Sequence, residues 1–456
     1  MPMFAACLAA PGLAFAVEID FTRYLETFEA TDGHHPGHEA DGKHSFFGAP
    51  GTARVIVSAT SGDPVVSIRL NGVDVLDRQA VRQPALLEIP VELGEANAIA
   101  VKVEGEDAAA VSVRVKQRAE VALNVISWVH FNTNVSDFSE ARAFYGKLGF
   151  ETVSGFPDTN TLAMAHALGI ETPTAYDGSQ GEEAGGYLLH GELVGPDGFW
   201  GGVIDLIEFT IPRNEEPPYP GLNHLGMARA LMHTGDIAAA YDQLVGAGVN
   251  FLSPPATRSD GTRFAVLTDP DGTFYELVEL EGADGGSSDK PVIGLGRVNV
   301  NVSDFERSEA WYRMFGYVAT RKLPPTDSAD VAAAMGFDAP YRIDGAVLSH
   351  EVDGSEIELV QWLSPFDPES AYPPPVSHLG IHRMALLTND IEADVAALKA
   401  QGVEFISGIT PCCSGPDSWG SIVLFYDPDG TVVELVEQPF MGTVARAMIW
   451  LRRLFE

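Results

Sequence analysis

Four histidines lie close together near the amino terminus, His34, His35, His38 and His44, in the segment DGHHPGHEADGKH at residues 32–44. Clustered imidazoles can bind a transition-metal ion. Their spacing matches no fixed metal-binding motif, so a polar loop without a metal is the alternative interpretation. No nucleophile–base arrangement and no phosphate-binding loop can be recognised elsewhere in the sequence. The remaining candidate residues lie in segments that are repeated along the chain.

The segments that could carry such a site belong to an internal repeat. NVSDF at residues 134–138 returns at 301–305, and each copy precedes the pattern of an amphipathic helix. DPDGT at residues 269–273 returns at 427–431, and each copy precedes a strand pattern that contains Glu-Leu-Val-Glu. The copies define four modules of two alternating types, and each module is predicted to contain a strand, a helix and two or three further strands.

The amino-terminal third of the chain has a different pattern. Residues 1–16 are apolar and end in Ala-Phe-Ala, which is typical of a signal peptide, but no basic residue precedes the apolar run. An exported or periplasmic location and a cytoplasmic one both remain open. Short alternating strands separated by turn formers predict a small β-sandwich accessory domain at 50–118.

The repeats predict two tandem two-module domains at 124–281 and 291–439. They are joined by a linker rich in glycine, serine and aspartate at 282–290. Residues 441–456 have the period of a basic amphipathic helix, which predicts docking on the protein or self-association, with a membrane surface as the alternative.

Composition narrows the classes of partner. The 456 residues carry 64 acidic and 28 basic side chains, a formal net charge of −36. Nucleic-acid binding is not expected, because contacts to phosphates need concentrated lysine and arginine. The hydrophobic fraction of 45% predicts packed cores. The apolar stretch at the amino terminus is too short for a transmembrane span.

The NVSDF-helix start, the DPDGT–Glu-Leu-Val-Glu end and the alternation of two module types resemble the vicinal oxygen chelate superfamily. That family includes glyoxalase I, extradiol dioxygenases and bleomycin-resistance proteins. The resemblance covers about residues 124–438. It implies an α+β fold in which tandem βαβββ modules form two domains, each enclosing a cavity that holds a divalent metal ion in many members. Family membership does not fix the reaction.

Carried onto this sequence, the family's metal positions fall on His130, Asp205, Arg229 and Glu276 in the first domain and on Arg297, Glu358, Arg383 and Glu434 in the second. A guanidinium is permanently charged and cannot bind a metal, so the second domain is predicted to be metal-free. In the first domain, His130, Asp205 and Glu276 form a tentative site for iron, manganese, zinc or nickel. His130 and Glu276 are then the expected catalytic residues.

Strand parity extends the predicted sites, because residues two apart share a face of the strand. From His130 the same face carries Asn132 and Asn134, and from Arg229 it carries His233. From Arg297 it carries Asn299 and Asn301. We expect these side chains to bind a ligand together with the family positions Arg229, Arg297, Glu358, Arg383 and Glu434. The alternative is a polar network that is satisfied internally.

Three functions remain open at this stage. The first is a metal-dependent lyase, isomerase or dioxygenase that uses the first domain, with a degenerate second domain. The second is a metal-free, resistance-type binding protein in which Arg229, Arg297 and Arg383 recognise an anionic ligand. The third is a scaffold whose cavities are closed by arginine–glutamate pairs. The sequence does not identify a substrate.

Overall fold

The computed structural model describes residues 15–30, 43–106, 108–156, 159–170, 184–199, 202–280, 282, 290–324, 326–367, 369–372, 376–412 and 420–438. The predicted signal peptide up to residue 14, three of the four clustered histidines, most of the linker and the carboxy-terminal helix lie outside these residues. Within the described part of the chain, no helix is both long enough and apolar enough to cross a membrane.

The chain divides into two compact units, one formed by Ala14–Leu123 with Val395–Val403 and the other containing Asn124–Asp394 and the residues from Glu404 onward. Among its described residues, the smaller unit has eight strands: β1 (Phe15–Glu29), β2 (Lys43–Phe47), β3 (Gly51–Ser61), β4 (Val65–Leu70), β5 (Val73–Ala80), β6 (Leu86–Leu93), β7 (Ala96–Glu104) and β8 (Ala110–Leu123).

These strands form two four-stranded sheets, in the orders β1-β8-β3-β6 and β2-β7-β4-β5. Alternate residues of each strand, such as Val55, Val57 and Ile68, enter a single buried core. The predicted β-sandwich therefore exists, but its first strand begins at Phe15, because β1 pairs with β8 along its whole length.

The larger unit contains the four modules. The first has β9 (Val125–Asn134), α1 (Phe138–Lys147), β10 (Glu151–Gly155), β11 (Thr159–Thr161), α2 (Leu162–Ala167), β12 (Ala184–Phe199) and β13 (Val203–Ile211). The second has β14 (Arg229–Thr234), α3 (Ile237–Gly246), β15 (Asn250–Phe251), β16 (Ala256–Thr257), β17 (Arg263–Thr268) and β18 (Phe274–Glu279).

The third module has β19 (Gly294–Asn301), α4 (Phe305–Arg313), β20 (Tyr317–Lys322), α5 (Ala329–Ala334), β21 (Arg342–His350) and β22 (Glu356–Ser364). The fourth has β23 (Gly380–Thr388), α6 (Ile391–Ala400), β24 (Thr410–Cys412), β25 (Gly420–Tyr426) and β26 (Val432–Glu437). The α+β fold of βαβββ modules expected from the sequence is confirmed.

The recurring aspartates of the motifs start the helices. Asp137, Asp236 and Asp304 each accept hydrogen bonds from backbone N–H groups of the first turn of α1, α3 and α4. Such caps satisfy N–H groups that have no partner within the helix. Local sequence therefore fixes where each module turns from its first strand into its helix.

The modules do not pair in the order of the sequence. One nine-stranded sheet joins the first and fourth modules, because β9 runs antiparallel to β23. The other joins the second and third modules, because β14 runs antiparallel to β19. The expectation that the first module shares a cavity with the second, and the third with the fourth, was wrong.

Consecutive modules nevertheless touch, through the two repeated motifs. Ser136 of the first NVSDF motif donates its backbone N–H to Asp271 of the first DPDGT motif, at 2.9 Å. Ser303 makes the same bond to Asp429, at 3.0 Å. The repeated motifs therefore join the first module to the second and the third to the fourth. These hydrogen bonds lie outside the two sheets.

Candidate functional site

The first and fourth modules bring together His130, Asp205, Arg383 and Glu434, which we call the histidine site. Arg383 donates from Nε to Glu434 Oε2 at 2.7 Å and from Nη2 to Asp205 Oδ2 at 2.8 Å. His130 Nε2 lies 3.8 Å from Asp205 Oδ2, which is too far for a hydrogen bond. Arg383 therefore bridges two carboxylates, and the imidazole stands beside them.

The second and third modules bring together Arg229, Glu276, Arg297 and Glu358, which we call the arginine site. Arg229 donates from Nε to Glu276 Oε2 at 2.9 Å and also contacts Glu358 through Nη2. Arg297 donates from Nε to Glu358 Oε2 at 3.2 Å. Both sites thus have an arginine from the first strand of one module between two carboxylates from last strands.

This arrangement decides whether a divalent metal fits. In each site the guanidinium of Arg383 or Arg229 lies between the two carboxylates that would have to bind the ion. A metal in either site would face a permanent positive charge at hydrogen-bond distance from its own ligands. The side chains present therefore do not suit a metal, and the cation that neutralises the carboxylates belongs to the protein itself.

The tentative metal site of His130, Asp205 and Glu276 is not formed. Glu276 lies in the arginine site with Arg229, whereas His130 and Asp205 lie in the histidine site with Arg383. The second predicted group is divided in the same way, since Arg297 accompanies Arg229. The reason is the pairing of sheet edges, which places distant modules side by side.

Burial controls protonation in the histidine site. Burial, together with the nearby charge of Arg383, lowers the pKa of His130 to about 3. Burial raises the pKa of Asp205 to about 7, and Glu434 adds to this rise while Arg383 opposes it. His130 is therefore a neutral imidazole at physiological pH, and Asp205 is an acid that can change its charge there.

The arginine site contains a further cation that the sequence analysis missed. Arg258 follows β16 and donates from Nη1 to Glu276 Oε1 at 2.7 Å, while its guanidinium lies 3.8 Å from the centre of the Phe264 ring. Burial by itself would raise the pKa of Glu276, but Arg258 and Arg229 lower it to about 2. The basic hairpin segment TRSDGTR, in a chain with few basic residues, was the available signal.

A cavity of about 190 Å³ opens beside the arginine site. Its cationic lining comes from Arg229, Arg258, Arg297 and Arg321. Four of the 28 basic side chains of this acidic chain therefore meet at one cavity. His233 also lines the cavity. Its burial lowers the pKa of the imidazole to about 4, and the positive charge of Arg297 contributes to this lowering.

The lining also includes three carboxylates, those of Asp260, Glu279 and Glu358. Glu358 pairs with Arg229 and Arg297, and Asp260 lies 4.0 Å from Arg321. Most of the remaining lining is apolar. Leu323, Met335, Tyr341, Val360 and Trp362 form part of it. Tyr341 and Trp362 contact each other with ring centres 5.0 Å apart, within a core cluster that spans the second and third modules. The cavity thus combines a cationic region with an aromatic wall.

Several buried polar atoms next to the two sites have no hydrogen-bond partner among the described residues. They include Nη1 of Arg229, both side-chain polar atoms of Asn299 and, at the equivalent positions of the histidine site, Nη1 of Arg383 and Oδ1 of Asn132. Buried polar groups are rarely left unpaired, so such atoms indicate places for water or a ligand.

Asn134 and Asn301 have a different role from the one expected. Asn301 donates to the carbonyls of Leu222 and His224, at 2.8 and 2.6 Å. Asn134 donates to the carbonyls of Val376 and His378 in the same way. These two side chains hold the loops that lead into the neighbouring module. This is the alternative considered from the sequence, in which the polar side chains bond within the protein and not to a ligand.

The sequence matches the model of the Glyoxalase/Bleomycin resistance protein/Dioxygenase superfamily over residues 127–277 and 294–435. No curated protein matches it significantly.

Among solved structures, glyoxalase I from Zea mays is similar at 19% identity, with 71% of this chain and 94% of that chain covered and a TM-score of 0.47. A glyoxalase family protein from Bacillus cereus has 16% identity over 35% of this chain and 98% of that chain, with a TM-score of 0.29. A variant of 4-hydroxymandelate synthase from Streptomyces coelicolor has 14% identity over 70% and 94%, with a TM-score of 0.24.

Proposed function

The chain belongs to the Glyoxalase/Bleomycin resistance protein/Dioxygenase superfamily, and within this family we propose that it binds a small organic anion, without a metal ion, at its arginine site. The observation that carries the proposal is the cavity lined by Arg229, Arg258, Arg297 and Arg321. The proposal corresponds to the metal-free, resistance-type function considered above.

An unused hydrogen-bond donor of Arg229 supports a ligand that carries an acceptor group. Arg229 is buried and fixed by Glu276 and Glu358, yet its Nη1 atom has no hydrogen-bond partner within the described residues. A carboxylate or similar group could accept from this atom. Because the guanidinium is already held in place, little side-chain entropy would be lost when the ligand binds.

The apolar wall supports a ligand with a compact apolar or aromatic body. Tyr341 and Trp362 offer flat surfaces next to the cations. A volume of about 190 Å³ is below the range of roughly 300–1,000 Å³ that is typical of pockets for drug-sized ligands. An aromatic monocarboxylate meets both conditions.

Benzoate should therefore bind to the purified protein, and benzamide, which has the same shape without the charge, should bind at least about tenfold more weakly. A charge-assisted hydrogen bond contributes roughly 1.5–3 kcal/mol, which corresponds to about tenfold or more in Kd. Isothermal titration calorimetry and the shift of the melting temperature with benzoate measure this difference.

The repeat supplies a matched pair of variants. Arg297→Gln removes a cation from the cavity and should weaken benzoate binding by about tenfold or more. His130→Gln changes the equivalent position of the histidine site and should leave binding unaltered. Equal affinity for benzoate and benzamide, or loss of benzoate binding in His130→Gln but not in Arg297→Gln, would contradict the proposal.

A further inference from the structure

His224 lies in the loop before β14 and is 3% exposed. Its Nε2 atom lies 3.0 Å from the backbone carbonyl oxygen of Ser370. A carbonyl oxygen can only accept a hydrogen bond, so Nε2 carries the hydrogen. In the neutral imidazole, Nδ1 then offers only a lone pair.

That lone pair faces a carboxylate. Nδ1 of His224 lies 3.4 Å from Oδ2 of Asp367 and has no hydrogen-bond partner among the described residues. One ligand atom from each of His224, Asp367 and Glu369 lies within 4.8 Å of the other two. We call these three residues the loop cluster. While His224 is neutral, the cluster brings acceptors together at one point with no donor between them.

The repeat contains a second copy of this loop, in which Nδ1 of the corresponding histidine has a partner. His378 is the counterpart of His224, and Asn214, two residues after Pro212, is the counterpart of Asp367, two residues after Pro365. Asn214 Nδ2 lies 3.1 Å from His378 Nδ1. An amide can donate to the imidazole at that position, whereas the carboxylate of Asp367 cannot.

The two turns are otherwise alike. The backbone N–H of Glu216 donates to Asn214 Oδ1 at 2.9 Å, and that of Glu369 donates to Asp367 Oδ1 at 3.0 Å. The two loops therefore share this turn and differ in the group that faces the histidine. One copy has a donor there, and the other has a carboxylate, whose charge a proton on His224 or a metal ion can balance.

We propose that the loop cluster binds a divalent transition-metal ion through Nδ1 of His224 and the carboxylates of Asp367 and Glu369. One imidazole and two carboxylates are a ligand set suited to zinc and to neighbouring first-row ions, with water completing the coordination. The ion would neutralise both carboxylates and replace the missing donor. This site is separate from the histidine and arginine sites and does not depend on the proposed anion binding.

The ion would connect two modules. His224 belongs to the loop that leads into the second module, and Asp367 and Glu369 follow the last strand of the third. The ring of His224 lies 4.3 Å from that of Tyr219, which stacks on Tyr372 at 4.1 Å. Binding should therefore stabilise the packing of the two loops against each other and raise the melting temperature.

The test uses the full chain, freed of metal with a chelator and titrated with Zn²⁺ by calorimetry. The parent protein should bind one more zinc ion per chain than Asp367→Asn, which restores the amide found in the counterpart loop and should remain folded. The melting temperature of the parent should rise with zinc, and that rise should be lost in Asp367→Asn.

Asn214→Asp provides the converse experiment, because it puts a carboxylate beside His378, with Glu216 two residues later as Glu369 follows Asp367. This variant should gain one zinc ion per chain. His130→Ala, in the histidine site, should leave the stoichiometry unchanged. Equal zinc stoichiometry and affinity in the parent and Asp367→Asn would overturn the proposal, and so would loss of the ion in His130→Ala.

Discussion

Replacing Arg383 with methionine should lower the free energy of unfolding by about 3–5 kcal/mol, the usual effect of removing one partner from a buried ion pair. Arg383 is 5% exposed and bridges Asp205 and Glu434 at 2.8 and 2.7 Å. Methionine fills similar space but leaves both carboxylates in the interior without a cation. Urea unfolding followed by circular dichroism measures the change.

The destabilisation of Arg383→Met should increase with pH. Burial already raises the pKa of Asp205 to about 7 while Arg383 opposes the rise, so without the arginine this carboxyl should take up a proton more readily. Below neutral pH the protonated acid is tolerated in the interior, and above it the charged form is not. Unfolding at pH 6 and pH 8 tests this dependence.

Arg213→Met is the matched surface control. Arg213 is 48% exposed and pairs with Glu215, which is 76% exposed. Exposed pairs contribute about 0–1 kcal/mol, so this change should have little effect on stability. If Arg383→Met unfolded at the same urea concentration as Arg213→Met, Arg383 would not be a bridge between buried charges.

The second large effect is expected for Glu276→Gln in the arginine site. Arg258 and Arg229 lower the pKa of Glu276 from 4.5 to about 2. This lowering means that the charged form of Glu276 stabilises the folded protein at neutral pH, by an amount on the order of a few kcal/mol. Glutamine retains the shape of the side chain but loses the charge, so the variant should be less stable than the parent by about that amount.

The difference in stability between the parent and Glu276→Gln should depend on pH. A carboxyl whose pKa is lowered in the folded state stabilises the protein above its unfolded pKa of 4.5, and the contribution is lost as pH falls towards 2. The difference in stability between parent and Glu276→Gln should therefore be largest at neutral pH and vanish near pH 2. Curves that stay parallel from pH 7 to pH 2 would contradict it, and Glu215→Gln serves as the exposed control.

In both sites, an arginine side chain lies between two carboxylates and supplies the positive charge. In the histidine site the remaining position holds His130, a neutral base, and in the arginine site it holds Arg297. The cavity described above adjoins the arginine site. Our proposal therefore places ligand binding at the arginine site, whereas the sequence led us to expect the functional cavity beside His130.

Much of the fold could be predicted because it depends on local interactions. The capping aspartates Asp137 and Asp304 and the alternation of buried residues along each strand are visible in the sequence. The same alternation puts Asn132 and Asn299 on the strand faces of His130 and Arg297, and both have side-chain atoms without a hydrogen-bond partner among the described residues. Hydrogen bonds within a turn and the period of a strand involve residues close in the chain, so a pattern is sufficient to predict them.

The candidate site depends on contacts that no local pattern records. The sequence left open whether Asn134 and Asn301 bind a ligand or an internal partner, because the carbonyls that accept from them lie in loops about 240 and 80 residues away. Arg258 was missed because it enters the site from a hairpin outside the repeated motifs. The tertiary structure was needed to show that Nδ1 of His224 faces a carboxylate, because the sequence does not tell which groups surround a side chain.

The sequence by itself determined that four modules of two types exist and which residues occupy their inner strands. It also determined that arginines occupy three of the eight positions that correspond to the family's metal ligands. Only the tertiary structure decided that the first module pairs with the fourth and the second with the third. The physical reason is that strand edges pair through backbone hydrogen bonds, which are nearly the same for every strand of similar length. The choice among edges therefore rests on the packing of residues far apart in the chain, and that choice placed Glu276 with Arg229 and Arg297 instead of His130.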